Sequence, residues 1–163
     1  MNALKILLSI VISVALTGCY TMVQNPQHEP VAGFVNGVKI ENGVKDKSPR
    51  VFMTDGIVTL KSDYSKWTDV LISRYEATQK SGTGKAQPNK HLLISFQAIS
   101  CGGSFVTNCM ITVLVERSDG IHSVYSSTDN FYGYGWKPTM DSAIDDAARK
   151  MANDPKLNKF IYE

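Results

Sequence analysis

The sequence has no excess of charge of either sign. The 163-residue chain carries 17 Lys and Arg against 15 Asp and Glu, for a formal net charge of +2. Its basic residues are scattered, whereas phosphate recognition needs a concentrated cationic field, so nucleic acid is excluded as a partner. Catalytic signatures are missing too. There is no G-x-S-x-G and no H-E-x-x-H, and Gly82-Thr83-Gly84-Lys85 lacks the remaining glycines and the strand-to-helix setting of a phosphate loop. Of three histidines, His28 lies in a polar segment, and His91 and His122 fall on strands or their ends without an evident partner. They read as surface imidazoles. Asp145 and Asp146 are neighbours on a helix and point different ways, which does not suit paired acid–base work. The expectation is a non-enzyme with no cofactor and no metal site. Cysteine is scarce as well: Cys19, Cys101 and Cys109 are all there are.

What is present begins at the N-terminus. Lys5 precedes an apolar run from Ile6 to Leu16 whose only polar side-chain atoms are two serine hydroxyls, followed by Thr17, Gly18 and Cys19. The run is too short to span a bilayer and has the form of a secretory signal at 1–18. The ending Leu16-Thr17-Gly18-Cys19 resembles the lipobox of bacterial lipoprotein precursors. That resemblance implies that Cys19 becomes the first mature residue, bearing a thioether-linked diacylglyceryl group and an amide-linked acyl chain. Each buried methylene adds about 0.8 kcal/mol, and two or more chains make the attachment stable. Tyr20, rather than an aspartate, follows the cysteine, which in that family implies the outer membrane in a Gram-negative host; the expected placement is lipid-anchored there, on the periplasmic face. The alternatives are an ordinary cleaved signal, which leaves Cys19 a free or paired thiol, and an uncleaved anchor, which the polar residues after Leu16 disfavour.

Removing 1–18 leaves 145 residues with 16 basic and 15 acidic side chains, the size of one domain plus a tether. Residues 19–30 are polar with Pro26 and Pro30 and read as a lipidated flexible tether, leaving 31–163 as a single α+β domain. Asn36-Gly37, Asn42-Gly43 and Asp55-Gly56 are turn dipeptides separating short strands around Val38–Ile40, Val51–Met53 and Ile57–Leu60. Ser62-Asp63 reads as the cap of an amphipathic helix over about 63–80, with Tyr64, Trp67, Val70, Leu71 and Tyr75 on its apolar face. Leu92, Ile94, Phe96 and Ala98 alternate as the buried face of a strand. Two further strands complete an antiparallel meander over about 91–129, turned by Ser118-Asp119-Gly120. A second helix is expected over about 139–152, supported by the pairs Asp145 with Arg149 and Asp146 with Lys150 and stopped by Asn153-Asp154-Pro155. The tail from Leu157 to Tyr162 packs back, as one more strand on one reading. Together these predict a mostly antiparallel sheet with two helices on one face. In order of elements the chain is similar to small envelope lipoproteins such as the YajG-like proteins and the activators of peptidoglycan synthases, a likeness of topology that implies no activity.

Two constellations remain. Cys101 and Cys109 flank seven residues between strands expected to pair; a disulfide is the first reading, with free thiols or a metal or redox site as alternatives. Cys101 is out of phase with Leu92, Ile94 and Phe96, so a register shift is required, expected at Gly102-Gly103. Phe131-Tyr-Gly-Tyr-Gly-Trp136 is the densest aromatic run. Tyr132, Tyr134 and Trp136 either form a platform for a glycan or peptide or cover the end of the sheet. The functional expectation is a membrane-anchored envelope lipoprotein whose non-catalytic domain binds or supports another envelope component. The alternative is a glycan- or peptide-binding module using Phe131–Trp136.

Overall fold

Residues 91–102 set the frame, because this strand pairs with three others. The computed structural model describes residues 20–27, 33–55, 58–79, 87–103, 106–132 and 135–163. Eight strands form one sheet: β1 (Tyr20–Val23), β2 (Gly33–Val35), β3 (Val38–Asn42), β4 (Arg50–Asp55), β5 (Val58–Ser62), β6 (His91–Gly102), β7 (Val106–Arg117) and β8 (His122–Tyr132). Among the described residues three helices accompany them: α1 (Tyr64–Thr78), α2 (Trp136–Ala152) and α3 (Pro155–Tyr162).

The 91–129 meander is present as β6, β7 and β8 in antiparallel register, but the sheet as a whole is of mixed orientation rather than mostly antiparallel. β3 and β4 both run parallel to β6, and β1 runs parallel to β5. The second edge of β6 is forked. Its first half pairs with β3 and the β2–β3 hairpin, and its end meets β4 at Met53 opposite Cys101, from which β5 and β1 extend as a wing. Between these pairings α1 side chains stand in for a strand. Phe96 N–H donates to Thr68 Oγ1 at 3.2 Å, and Ile99 N–H donates to the Tyr64 hydroxyl at 3.3 Å, which lies 3.2 Å from the carbonyl oxygens of Val51 and Ile99. Buried backbone groups need such partners, and here a helix supplies them.

The register shift falls at Gln97, not at Gly102-Gly103: Phe96 faces Val113 and Ala98 faces Thr112, so Gln97 is the extra residue. Leu92, Ile94 and Phe96 are buried before the bulge and Ile99 and Cys101 after it, while Ala98 moves to the open face. The bulge resolves the phase conflict because it lets one strand bury both sets. Asn36 (φ 49°) and Gly37 (φ 80°) make the β2–β3 turn, as their left-handed preference requires.

α1 starts where expected, with Asp63 accepting from Ser65 N–H at 2.8 Å, a cap worth about 1 kcal/mol. Both long helices cover the face carrying Ile94, Ile111 and Val113, with Trp67, Leu71, Met140, Ile144 and Met151 fully buried. The tail is a third helix, not a strand. Asp154 accepts from Lys156 and Leu157 N–H groups and Pro155 takes the first helical turn, so the dipeptide that stops α2 also starts α3. Asp145 pairs with Arg74 of α1 at 3.5 Å rather than with Arg149, while Lys150 reaches Asp146 at 2.7 Å as expected.

The segment expected to be a tether, 19–30, contributes structure. Tyr20–Val23 forms β1, Gln24 N–H donates to Lys61 O at 2.8 Å, and Asn25 Oδ1 accepts from Ser62 Oγ (3.1 Å) and Asp63 N–H (2.9 Å). Its pairing with β5 outweighs its polar flanks. The predicted lipobox and Cys19 lie outside the described residues, and no helix among the described residues is long and apolar enough to cross a membrane.

Candidate interaction surface

Among the described residues, strand β8 pairs with β7 and with no other strand, leaving an eleven-residue edge. Of its odd residues, Tyr125 and Ser127 are buried under the helices. Tyr125 donates to Asp154 Oδ2 and Ser127 Oγ to Asp146 Oδ2, each at 2.6 Å. The even residues His122, Val124, Ser126, Thr128, Asn130 and Tyr132 are all exposed on the open face, where Thr112, Met110 and Asn108 of β7 lie beside them. Two hydrogen bonds show that the even residues also turn their backbone groups away from β7. Lys150 Nζ donates to Ser126 O at 2.9 Å, and Asn130 N–H donates to the Asp129 carboxylate at 2.8 Å. Thr128 lies between them with the same orientation by the two-residue period. Over Val124–Thr128 the strand's own side chains are uncharged, while Lys150 of α2 covers Ser126 O.

Electrostatics anchor this strand from below. The Lys150 ammonium and the Ser127 hydroxyl hold the Asp146 carboxyl below the ordinary carboxylate range. Asp154 is also lowered: burial works against the charge, but the Tyr125 hydroxyl and the Lys156 and Leu157 N–H groups outweigh it. Burial drives the Tyr125 and Tyr75 phenols upward, and the Tyr75 hydroxyl is buried without a partner.

Of the residues singled out from sequence, Cys101 and Cys109 face each other in the β6–β7 ladder and are joined as a disulfide. Tyr132 is 85% exposed. Trp136 instead turns inward, edge-on to Phe52 (4.9 Å between centroids) and Trp67 (5.9 Å), so the two rings serve different environments. Tyr134 and His28 lie outside the described residues. His122 lies 3.9 Å from Glu116, and among the described residues no three His, Cys, Asp or Glu gather as metal ligands.

One feature escaped the sequence reading. Arg117 stacks over the Phe160 ring at 4.4 Å, Lys90 lies 5.5 Å from the same centroid and donates to Phe160 O, and Lys156 and Lys159 line the same cleft. Arg117 pairs with Asp119, and Lys159 with Glu163 at 3.7 Å, so much of the charge is answered locally. The helix at Pro155–Tyr162 is what brings positions so far apart in sequence together.

Comparison with protein-family models, with curated proteins and with solved structures finds no match to this chain. The functional reading therefore stands on its own residues.

Proposed function

We propose that the chain is an exported bacterial lipoprotein, acylated at Cys19 and held on the periplasmic face of the outer membrane, whose non-catalytic domain binds a protein of the envelope by strand addition. The observation that carries the binding reading is the edge of β8 with which no other described strand pairs, capped in part by Lys150 at Ser126 O. A long edge strand with outward backbone groups at Ser126, Thr128 and Asn130 is the surface an extended partner segment pairs with, main-chain bonds giving affinity and the alternating open-face side chains giving selectivity. The glycan alternative draws on a stacked aromatic platform; Tyr132 is available for it, but Trp136 is engaged with Phe52 and Trp67.

Two measurements test the proposal. Mass spectrometry of the mature protein reads the acyl groups on Cys19, and an unmodified N-terminus refutes the anchoring. Photo-crosslinking in intact cells from position 124 is expected to give one discrete protein adduct that Thr128→Pro abolishes. Proline removes the outward N–H and is tolerated at an edge, so the β7 ladder survives. Absence of an adduct, or an adduct unaffected by the proline in a folded variant, refutes strand addition.

A further inference from the structure

We infer that the domain does not hang from its anchor but lies directly on the bilayer, with the β1–β5 wing seated at the lipid interface. The inference rests on acylation of Cys19 as proposed above and follows from where the described chain begins. Tyr20 is bonded to Cys19, and consecutive Cα atoms are about 3.8 Å apart. Tyr20 is already in register with Val58, and the pairing continues through Thr21, Met22 and Val23 opposite Thr59, Leu60 and Lys61. Beyond the strand, Gln24 bonds to Lys61 O, and Asn25 clasps Ser62 and Asp63 at the start of α1. No slack remains between the acylated residue and the folded sheet. A cysteine whose chains are in the hydrocarbon therefore brings β1 to the headgroup–acyl boundary.

The wing has the surface such a position requires. Tyr20 (60% exposed), Met22 (49%) and Val58 (36%) share one face, the same face as buried Leu60, and none of the described helices buries them. Val23 (54%) is exposed on the reverse. Large apolar side chains on an edge strand are a liability in water and are commonly covered. The anchor supplies the cover, because an apolar face about 5–10 Å deep in the interface is the depth at which amphipathic surfaces settle. Tyr20 is the residue type enriched at that level, and Lys61 beside Val23 suits an anionic headgroup. Neither β1 nor the β5 residues opposite it carry a carboxylate.

The test uses the full lipidated protein in vesicles of phosphatidylethanolamine and phosphatidylglycerol, with and without bromine on the acyl chains. Met22→Trp and Val58→Trp report from the two strands of the wing, and Val124→Trp on exposed β8 is the reference. Flotation with the vesicles, loss of emission to bromine at both wing positions and none at position 124 is the expected result. Flotation without quenching in the wing, or with quenching at all three positions, overturns the seating. Quenching at position 22 but not 58 overturns it as well, since β1 has then peeled away as a tether. Protein that does not float overturns the acylation on which the inference rests. Near-ultraviolet circular dichroism of each variant confirms folding, and the two wing positions keep the test open if one variant fails to fold.

Discussion

Reducing the Cys101–Cys109 disulfide probes the joint of the whole architecture. The bond closes a loop with a sequence separation of 8. Chain-entropy reasoning gives about 2.5 kcal/mol for such a loop. A domain of this size has roughly 5–15 kcal/mol in total, so the loss is a large fraction, and it corresponds to a fall in Tm of roughly 7–12 °C. The loss should also be uneven. Cys101 is the β6 residue that meets Met53, the register point joining β4 to β6, whereas β7 and β8 are held together by eleven residue pairs. Equilibrium denaturation with and without reductant measures the total, and amide exchange measures its distribution. The expectation is a lower midpoint, with β4, β5 and β1 gaining exchange before β7 and β8. An unchanged midpoint, or equal loss of protection across the sheet, would refute the reasoning.

Glu76 is held above the usual carboxylate range by burial, against an opposing backbone contact from Phe34, and its Oε1 is buried without a partner. A raised folded-state pKa stabilises below the unfolded value of about 4.3 and is lost as pH rises through the folded value. Glu76→Gln is thus expected to raise the denaturation midpoint at pH 7, and the gain should vanish toward pH 4. Gly33 packs β2 against α1 so closely that an added Cβ would meet Ile72 Cγ2 at 2.9 Å and Ile40 Cβ at 3.0 Å. Gly33→Ala should cost about 1–3 kcal/mol by overpacking, read from the urea midpoint. Lys150→Ala removes both the Asp146 pair and the cover on Ser126 O. Its effect on monomer stability is small, about 0.3–0.5 kcal/mol, but concentration-dependent association by sedimentation should rise as the edge is uncovered. The Asp146 contribution, present above the ordinary carboxylate pKa and lost as pH falls through its lowered one, should shrink in the same variant.

Elements with strong local signals were legible in the sequence. α1, α2, the meander and the disulfide follow from helical spacing, alternation and paired cysteines between adjacent strands. What failed to show depends on competition between distant segments. Gln97 is a bulge because burying both Phe96 and Cys101 requires one, and nothing in Phe96-Gln97-Ala98 itself marks it. The parallel pairing of β3 with β6 joins residues about fifty positions apart across an intervening helix, a contact without a turn signature. Tyr20–Val23 is polar-flanked and short, so only its partner β5 makes it a strand. Asn153-Asp154-Pro155 reads equally as an end and a beginning, and Leu157, Phe160 and Ile161 decide for a helix by burying one face. The exposed edge of β8 was invisible for the same reason: an edge is defined by the strand that is not there.

Strand order now constrains how anchoring and binding divide the molecule. From β1 through β5, β4, β6 and β7 to β8 is five ladder steps, about 24 Å at the usual strand spacing. The proposed seating of the wing thus leaves β8 at the far end of the ladder, five strand spacings from β1. The two halves meet at Cys101, which is bonded covalently to β7 and in register with β4. Below that junction Phe52 of β4 packs on Trp136 at the start of α2, whose Lys150 and Asp146 hold Ser126 and Ser127 of β8. One helix thus touches both β4 and the β8 edge, so the proposed seat and the proposed binding edge are joined through packed side chains rather than a polar tether.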